Sequence, residues 1–123
     1  MIGCPDLLPT DWNCRHNSLF GPTAHFGYTD LVGFDLSDIN LTYIFMMGAD
    51  LTGADLSDSD LTGADLSFAD LSNVDLQNAD LSNANLYDAD LTDAELTNVY
   101  WYDTTCPDGS NSDENGFTCV NNL

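Results

Sequence analysis

The sequence predicts an all-β solenoid, in which very short strands stack along one axis and tight turns join them. A large apolar residue, most often Leu, recurs at every fifth position from residue 26 to residue 101, through sixteen pentads without a slip. Two positions before it stands a second apolar residue that is usually small, most often Ala. Internal repeats of this kind decide a fold ahead of local secondary-structure propensity.

Neither an α-helix nor a flat strand accommodates a period of five. In an α-helix, five residues advance the chain by roughly 140° beyond a full turn, so the large residues would spiral around every side. In a flat strand, side chains alternate between faces, so an odd spacing would separate successive large residues. They share one interior only if the chain turns a corner once per pentad. Between the two inward residues lies a polar residue, usually Asp, which must point outward. The remaining two positions hold Ser, Thr, Gly, Asn or Asp, which suit tight turns.

The composition is strongly acidic. There are 21 acidic residues against the single basic residue Arg15, which gives a formal net charge of −20. Such a chain is repelled by nucleic acid and by anionic membrane surfaces, so nucleic acid is not an expected partner. No stretch approaches the roughly 20 apolar residues that span a bilayer, so membrane insertion is not expected. The N-terminus lacks the pattern of an intact signal peptide, which indicates either a cytosolic protein or a mature or excised form.

The motif Ala-Asp/Asn-Leu-Ser/Thr-x resembles the pentapeptide-repeat family over roughly residues 26–102. The resemblance implies a right-handed quadrilateral β-helix of about four coils with capped ends, about 20 Å long at ~4.8 Å per stacked strand. The flanks resemble the Cys-containing caps of an extracellular bacterial subgroup. The implied organisation is an N-terminal cap over residues 1–23, a β-helix over residues 24–103 and a C-terminal cap loop over residues 104–123.

The open ends of such a stack would expose apolar surface and unpaired backbone, so they need plugs. The candidate plugs at the N-terminal end are Leu7, Leu8, Trp12, Leu19 and Phe20. Those at the C-terminal end are Tyr100, Trp101, Phe117 and Val120. In the first coil, Phe34, Ile39 and Ile44 replace the small inward residue, so this coil should be wider or should pack against the N-terminal cap.

Four cysteines allow three pairings. In the fold that the resemblance implies, about 20 Å separates the two ends, whereas bonded cysteines need Cα atoms within ~7 Å. We therefore expect the disulfides Cys4–Cys14 and Cys106–Cys119, which favour an extracellular or cell-surface location. Four free thiols in a cytoplasmic protein are the alternative. Zinc is disfavoured because no Cys-x-x-Cys spacing is present.

No residue pattern points to an enzyme, and no cofactor is expected. Only His16 and His25 could act as imidazole bases, and each is interpreted as a solvated surface side chain. The Asp ladder follows the coil rather than a cleft, which favours a solvated acidic surface over a catalytic carboxylate pair.

Residues Asn111, Asp113 and Asn115 resemble the start of a calcium loop, but the closing position is Asn122 rather than Glu. Calcium binding is therefore an option beside an ordinary turn.

Folding the repeats on a 20-residue coil has two further consequences. Acidic residues should stack in columns, namely Asp35, Asp55, Asp75 and Glu95, and Asp30, Asp50, Asp70 and Asp90. Exposed apolar residues should also come together, namely Tyr28, Tyr43, Phe45, Met47, Phe68 and Tyr87. A contiguous apolar area on so acidic a surface indicates a contact site, unless the N-terminal cap folds over it.

These observations predict a non-catalytic structural or protein-interaction module, secreted or surface-exposed in a bacterium, with a protein partner or self-association through the apolar area. The alternative comes from the resemblance, because some pentapeptide-repeat proteins bind DNA gyrase with an acidic rod that mimics DNA and protect it from quinolones. The charge suits that function. The expected length of about 20 Å does not suit it, because it matches only about 6 base pairs of DNA.

Overall fold

The computed structural model describes Pro5, residues 8–16, residues 18–120 and Leu123. Parallel β-bridges join residues that lie twenty positions apart, from His25↔Phe45 to Asn85↔Thr105. A tight turn occurs every five residues, so the chain makes four turns before it passes over itself. We call each such 20-residue segment a layer: residues 24–43, 44–63, 64–83 and 84–103. The predicted stacking of every twentieth residue is therefore present.

Backbone hydrogen bonds tie each layer to the next. The N–H of an inward residue donates to a carbonyl nineteen positions later, as from Leu51 to Asp70 at 2.8 Å. The N–H of the outward residue returns the bond, as from Asp70 to Ala49 at 2.9 Å. Each strand is a single bridge long because the chain bends away on both sides of it. The chain thus forms a parallel β-helix of minimal strands.

The turns share one backbone conformation. The second residue after each large inward residue has a positive φ, and so does Thr23 in the same register, which makes seventeen consecutive turn positions from residue 23 to residue 103. Thirteen of these positions hold Gly, Asn or Asp, the residues that tolerate the left-handed region best. The outward Asp supports the turn, because its carboxylate accepts the N–H of the residue two positions on, as Asp50 does from Thr52 at 3.1 Å.

The large inward residues meet in one interior, as predicted. All of them from Leu31 to Leu91 are buried, and the small inward residues pack between them. Burying a leucine side chain stabilises the fold by about 1.5–3 kcal/mol. Phe26 and Leu96, which lie nearer the two ends, are only half buried. The interior is therefore driest in the middle of the stack and depends on caps at its ends.

A β-hairpin of β1 (Asn13–Arg15) and β2 (Ser18–Phe20) covers the N-terminal end. Phe20 is fully buried and stacks on Phe26 with ring centroids 4.3 Å apart. Trp12 lies against Gly21, where an added Cβ would come within 2.5 Å of the indole. Phe20 and Trp12 are thus plugs, as predicted.

Leu19 is exposed, and its prediction as a plug is wrong. It precedes Phe20 in β2, and neighbouring side chains of a strand point to opposite faces. Leu8 is half buried, whereas Leu7 lies outside the described residues. The larger inward residue Phe34 meets the edge of Phe20 at 6.2 Å. Of the two outcomes expected for the first coil, packing against the cap is the one observed.

The C-terminal end is closed by the Cys106–Cys119 disulfide, whose two residues are fully buried, and by a 3-10 helix at Ser112–Asn115. The buried hydroxyl of Thr104 donates to the Leu81 carbonyl at 2.8 Å. Trp101 is buried, as predicted. The predictions for the other three plugs are wrong, because the disulfide and buried hydroxyls fill the place expected for them. The exposed residues are Tyr100, Phe117 and Val120.

Cys14 is also disulfide-bonded. Its predicted partner, Cys4, lies outside the described residues. Within the described part of the chain, no helix has the length and apolar character that crossing a membrane requires.

Candidate contact surface

The predicted apolar residues lie on one side of the solenoid. Its centre is the column of outward strand residues that contains His25, Phe45 and Asp65. On each side of this column runs a stack of turns, one containing Tyr43 and the other containing Tyr28 and Phe68. We call the column and its two flanking turn stacks the aromatic face. The other two turn stacks, which contain residues 33, 53, 73 and 93 and residues 38, 58, 78 and 98, are the remote turns.

Besides Tyr102, which lies at the C-terminal end of the Tyr43 turn stack and is 62% exposed, four rings of the aromatic face are open to solvent. The exposed fractions are 74% for Tyr28, 65% for Tyr43, 53% for Phe68 and 48% for Tyr87. Phe45 is half buried, and so is Met47 in the turn beside it. Residues 8–16 and 18–23 leave these four rings exposed, so the described part of the N-terminal cap does not fold over them.

Three rings lie against glycines of the adjacent layer. A Cβ added to Gly48 would come within 2.5 Å of the Tyr28 ring, and one added to Gly63 would come equally close to the Tyr43 ring. Phe45 lies over Gly27 in the same way, at 2.7 Å from the added Cβ. The glycines therefore let the rings lie close to the backbone of the stack instead of extending into water.

The rings also touch one another. Phe68 and Tyr87 meet edge to face, with centroids 5.6 Å apart, a favourable aromatic geometry. His25 lies over Phe45 at 5.5 Å with its ring tilted by 38°. His25 is exposed, as expected, yet it belongs to the aromatic face, which sequence reasoning did not recognise. The register of twenty was a sufficient signal, because it places residue 25 directly beside residue 45.

The aromatic turn residues occupy a backbone region that disfavours them. Tyr28, Tyr43 and Phe68 have φ values of 55°, 55° and 59°. A bulky non-glycine residue in the left-handed region costs on the order of 1 kcal/mol or more. The remote turns hold only Gly, Asn and Asp at the equivalent position. Within the repeat the unfavourable choice is therefore confined to the turns that flank one strand column, and outside the repeat Phe117 of the C-terminal cap also has a positive φ, of 62°.

A column of exposed carboxylates adjoins this face. Asp30, Asp50, Asp70 and Asp90 are bridged in sequence and all are exposed. The column lies on the strand that follows the turn of Tyr28 and Phe68. Hydrogen bonds from the Thr52 hydroxyl and N–H lower the pKa of Asp50, and Thr92 lowers the pKa of Asp90 in the same way. Asp50 and Asp90 consequently carry full charge at neutral pH.

Comparison with known proteins identifies the repeat. Residues 24–58 and 64–100 match the family model of pentapeptide repeats, with 8 copies. The chain belongs to the pentapeptide-repeat family. Family members of known structure are right-handed β-helices, in agreement with the ladder described above, and they are generally non-enzymatic structural modules. The search of curated proteins gave no match.

Three solved pentapeptide-repeat structures illustrate the likeness. One from Nostoc Pcc 7120 is 38% identical with a TM-score of 0.61, over 65% of this chain and 68% of that one. One from the thylakoid lumen of Arabidopsis thaliana is 29% identical with a TM-score of 0.39, over 68% of this chain and 65% of that one. One from the cyanobacterium Cyanothece 51142 is 30% identical with a TM-score of 0.42, over 63% of this chain and 56% of that one.

The residues predicted for calcium have structural roles in this pentapeptide-repeat protein. Asn111 caps the 3-10 helix by accepting the Asp113 N–H at 2.8 Å, and Asp113 in turn accepts the Asp103 N–H at 2.8 Å. The Asn115 amide donates to the Ser110 hydroxyl at 2.8 Å. Within the residues that the structure describes, no group of three or more His, Cys, Asp or Glu side chains is arranged to hold a metal ion. Calcium binding stays a prediction.

The second histidine holds the N-terminal cap of the pentapeptide-repeat domain. His16 stacks on Phe34 with centroids 4.2 Å apart, and its Nε2 accepts a hydrogen bond from the Asp35 N–H at 3.3 Å. The side chain is exposed, in agreement with its interpretation as a surface histidine, and it makes these two contacts as well. The bond satisfies a backbone donor at the open edge of the first layer, where no preceding layer could do so.

Proposed function

We propose that this chain is a non-catalytic protein-interaction module whose contact surface is the aromatic face. A single observation carries the proposal: Tyr28, Tyr43 and Phe68 occupy left-handed turn positions, and all three border the same strand column. A fold that needed only a stable turn would use Gly, Asn or Asp there, as the remote turns do. Backbone strain of this kind collects at functional sites, because the function needs the strained side chain.

The architecture suits a rigid module. We propose a quadrilateral cross-section, which the four turns per layer support, with caps over residues 1–23 and 104–123 and the repeat over residues 24–103. Hydrogen bonds run through every layer, so the rings project from a backbone with little freedom to rearrange. A partner that binds a surface already in its bound conformation does not have to supply the free energy of ordering it.

We further propose that the protein acts outside the cell or on its surface, with the cytoplasm as the alternative. The buried Cys106–Cys119 disulfide supports an oxidising location, because disulfides persist there and are rare in the cytosol. Reactive-thiol counting on protein isolated from its own host with thiols blocked at lysis tests this. An intact bond supports the proposal, and free thiols at Cys106 and Cys119 contradict it.

Selection from a random peptide library tests the contact surface. Peptides selected on the wild-type chain are expected to lose at least about ten-fold in affinity for a Tyr28→Asn, Tyr43→Asn, Phe68→Asn variant, the loss of a typical contact hot spot. The matched control is Gly33→Asn, Gly53→Asn, which changes remote turns with open space around them and leaves the net charge unchanged. Peptides that bind all three proteins equally would overturn the proposal.

A gyrase-binding function is the second candidate, and the net charge of −20 is the observation that favours it. An acidic rod can occupy a surface built for DNA, because both present regularly spaced negative charge. A supercoiling assay with purified gyrase distinguishes the two functions. Inhibition by the wild type that persists in the triple aromatic variant would support DNA mimicry. If the wild type does not inhibit gyrase, the interaction module is the function that remains.

A further inference from the structure

We propose that the partner of this module is a basic polypeptide segment, whose arginine and lysine side chains bind where the aromatic face adjoins the exposed aspartate column. The inference rests on the proposed function and adds the chemistry of the partner. The binding edge consists of the rings of Tyr28, Phe68 and Tyr87 and of four carboxylates. The carboxylates are Asp30, Asp50, Asp70 and Asp90.

The carboxylates of the edge are held in fixed positions. In each of them Oδ1 accepts the N–H of the residue two positions on, as from Thr52 to Asp50 and from Ser72 to Asp70, at 3.1 and 3.0 Å. The second oxygen, Oδ2, accepts no hydrogen bond from the part of the chain that the structure describes. Stacked strands lie ~4.8 Å apart, so a regular row of open acceptors faces the solvent.

The rings stand beside these acceptors. Tyr28 and Phe68 precede Asp30 and Asp70 by two residues, so each ring and its carboxylate lie on the two sides of one corner. Tyr87 extends the ring surface through its edge contact with Phe68. A guanidinium can lie over an exposed ring and donate to a carboxylate at the same time, since it is planar and has five donors. An ammonium supplies only a point charge.

Charge selects a basic partner over a second copy of this chain. The chain has 21 acidic residues and one basic residue, and two molecules of net charge −20 repel each other. An apolar contact between copies would bring the two aspartate columns together with no cation to neutralise them. A basic segment instead meets both features of the edge, because carboxylates attract its charge and rings accept its side-chain stems.

Among the acidic columns that the structure describes, this one has four exposed carboxylates beside the Tyr28 and Phe68 turns. The column of Asp60 and Asp80 also meets a ring, that of Tyr100, but both of its carboxylates are half buried. Asp55 and Asp75 of the next column are half buried, and the remote turns beside them present Gly53, Asn73 and Asp58 rather than rings. This column is therefore a natural control for general attraction by negative charge. Asn is tolerated at such positions, as Asn40 shows by accepting from Thr42 in the same way.

The test uses fluorescence anisotropy with two labelled probes, nona-arginine and nona-lysine, and the full chain at about 0.15 M salt. The Asp50→Asn, Asp70→Asn variant is expected to bind nona-arginine about ten-fold more weakly, and the Tyr28→Asn, Phe68→Asn variant about five-fold more weakly. The Asp55→Asn, Asp75→Asn variant has the same change in charge and should lose less than about two-fold. Wild type should prefer nona-arginine to nona-lysine, and the aromatic variant should lose that preference.

Equal losses in the two aspartate pairs would mean diffuse charge attraction and would overturn the inference, as would unchanged binding in the aromatic variant. Sedimentation equilibrium of the wild type tests whether a second copy of this chain binds at the edge. A dimer that dissociates on Tyr28→Asn, Phe68→Asn substitution would assign the edge to a second copy instead. If library peptides depend on the aromatic rings but are not basic, the proposed function stands and this inference fails. If they do not depend on the rings, the proposed function itself fails.

Discussion

The aromatic face and the remote turns have the same backbone but different residues. Both bend the chain with a positive φ at the second position after the large inward residue of each pentad. The remote turns place Gly, Asn or Asp there, which satisfies the backbone at little cost. The aromatic face places Tyr28, Tyr43 and Phe68 there instead. The comparison separates what the fold requires from what a contact surface requires, because the remote turns form the same bend with Gly, Asn or Asp.

The largest expected effect compares two glycines that share one conformation. Gly48 and Gly53 have φ values of 67° and 65°, but only Gly48 lies under a ring, that of Tyr28. Alanine at either position is strained by roughly 1–2 kcal/mol. Gly48→Ala must also displace the Tyr28 ring, so we expect it to lower the free energy of unfolding by about 1 kcal/mol more than Gly53→Ala does.

Urea denaturation measures both free energies of unfolding. The additional Tyr28→Asn substitution serves as the control, because it should remove the excess cost of Gly48→Ala and leave that of Gly53→Ala unchanged. Equal costs for the two alanine variants would show that Tyr28 does not rest on Gly48.

The reverse experiment moves a ring to the remote turns. Asn73→Tyr and Asn78→Tyr place tyrosine at positive φ where the structure uses asparagine. Each is expected to lower the free energy of unfolding by about 1 kcal/mol, because Asn tolerates this conformation and Tyr does not. Gln77→Tyr, one position earlier in the same turn, is the matched control without a positive φ. An unchanged free energy of unfolding in Asn73→Tyr and Asn78→Tyr would show that tyrosine at a positive φ does not strain these turns.

Stacked carboxylates predict a salt effect. Charges about 5 Å apart repel by ~0.8 kcal/mol in bulk water, and salt screens this repulsion. The Tm should therefore rise by a few degrees between low salt and about 0.5 M NaCl, a shift that differential scanning calorimetry resolves. The Asp50→Asn, Asp70→Asn variant should show a smaller rise, since it lacks two neighbouring charges. A Tm of the wild type that stays constant or falls with added salt would contradict repulsion between the stacked carboxylates.

The smallest expected effect is the titration of a single carboxyl beside the aromatic face. The Thr52 hydroxyl and N–H hold the pKa of Asp50 below its ordinary value of 3.8. A depressed pKa stabilises the folded state above the unfolded value, and the contribution is lost as the pH falls through the folded pKa.

Thr52→Val should accordingly move the pKa of Asp50 upward, toward 3.8, and leave that of Asp90 unchanged. Asp90 is the internal control because its bonds come from Thr92. Carboxyl NMR titration reads both groups in one sample. Movement of both carboxyls together would point to a change in the overall charge field rather than in one hydrogen bond.

Most of the repeat was readable from its period. The interval of five demands corners, and the interval of twenty places Asp50 beside Asp70 and Tyr28 beside Gly48. The same register could have revealed the pairs of aromatic residue and glycine, Tyr28 with Gly48 and Tyr43 with Gly63. Examining the position after the Ser or Thr of each pentad would also have shown that these rings stand where Gly, Asn and Asp normally do.

The caps were less readable because they have no period. Leu19 and Phe20 are both large and apolar, and only the pairing of the hairpin decides which of them points inward. At the other end, apolarity suggested Tyr100 and Phe117, but the buried plug is a disulfide with hydrogen-bonded hydroxyls. A buried polar group depends on its partners, as Thr104 does on the Leu81 carbonyl, and sequence alone does not name those partners.

The free energy of unfolding of the Tyr28→Asn, Tyr43→Asn, Phe68→Asn variant tests the central claim most directly. If the rings are kept for contact at the expense of the turns, the variant should be more stable than the wild type by about 1–2 kcal/mol, after allowance for the ring contacts it loses. A variant less stable than the wild type would show that the rings hold the fold together, and the aromatic face would then be structural.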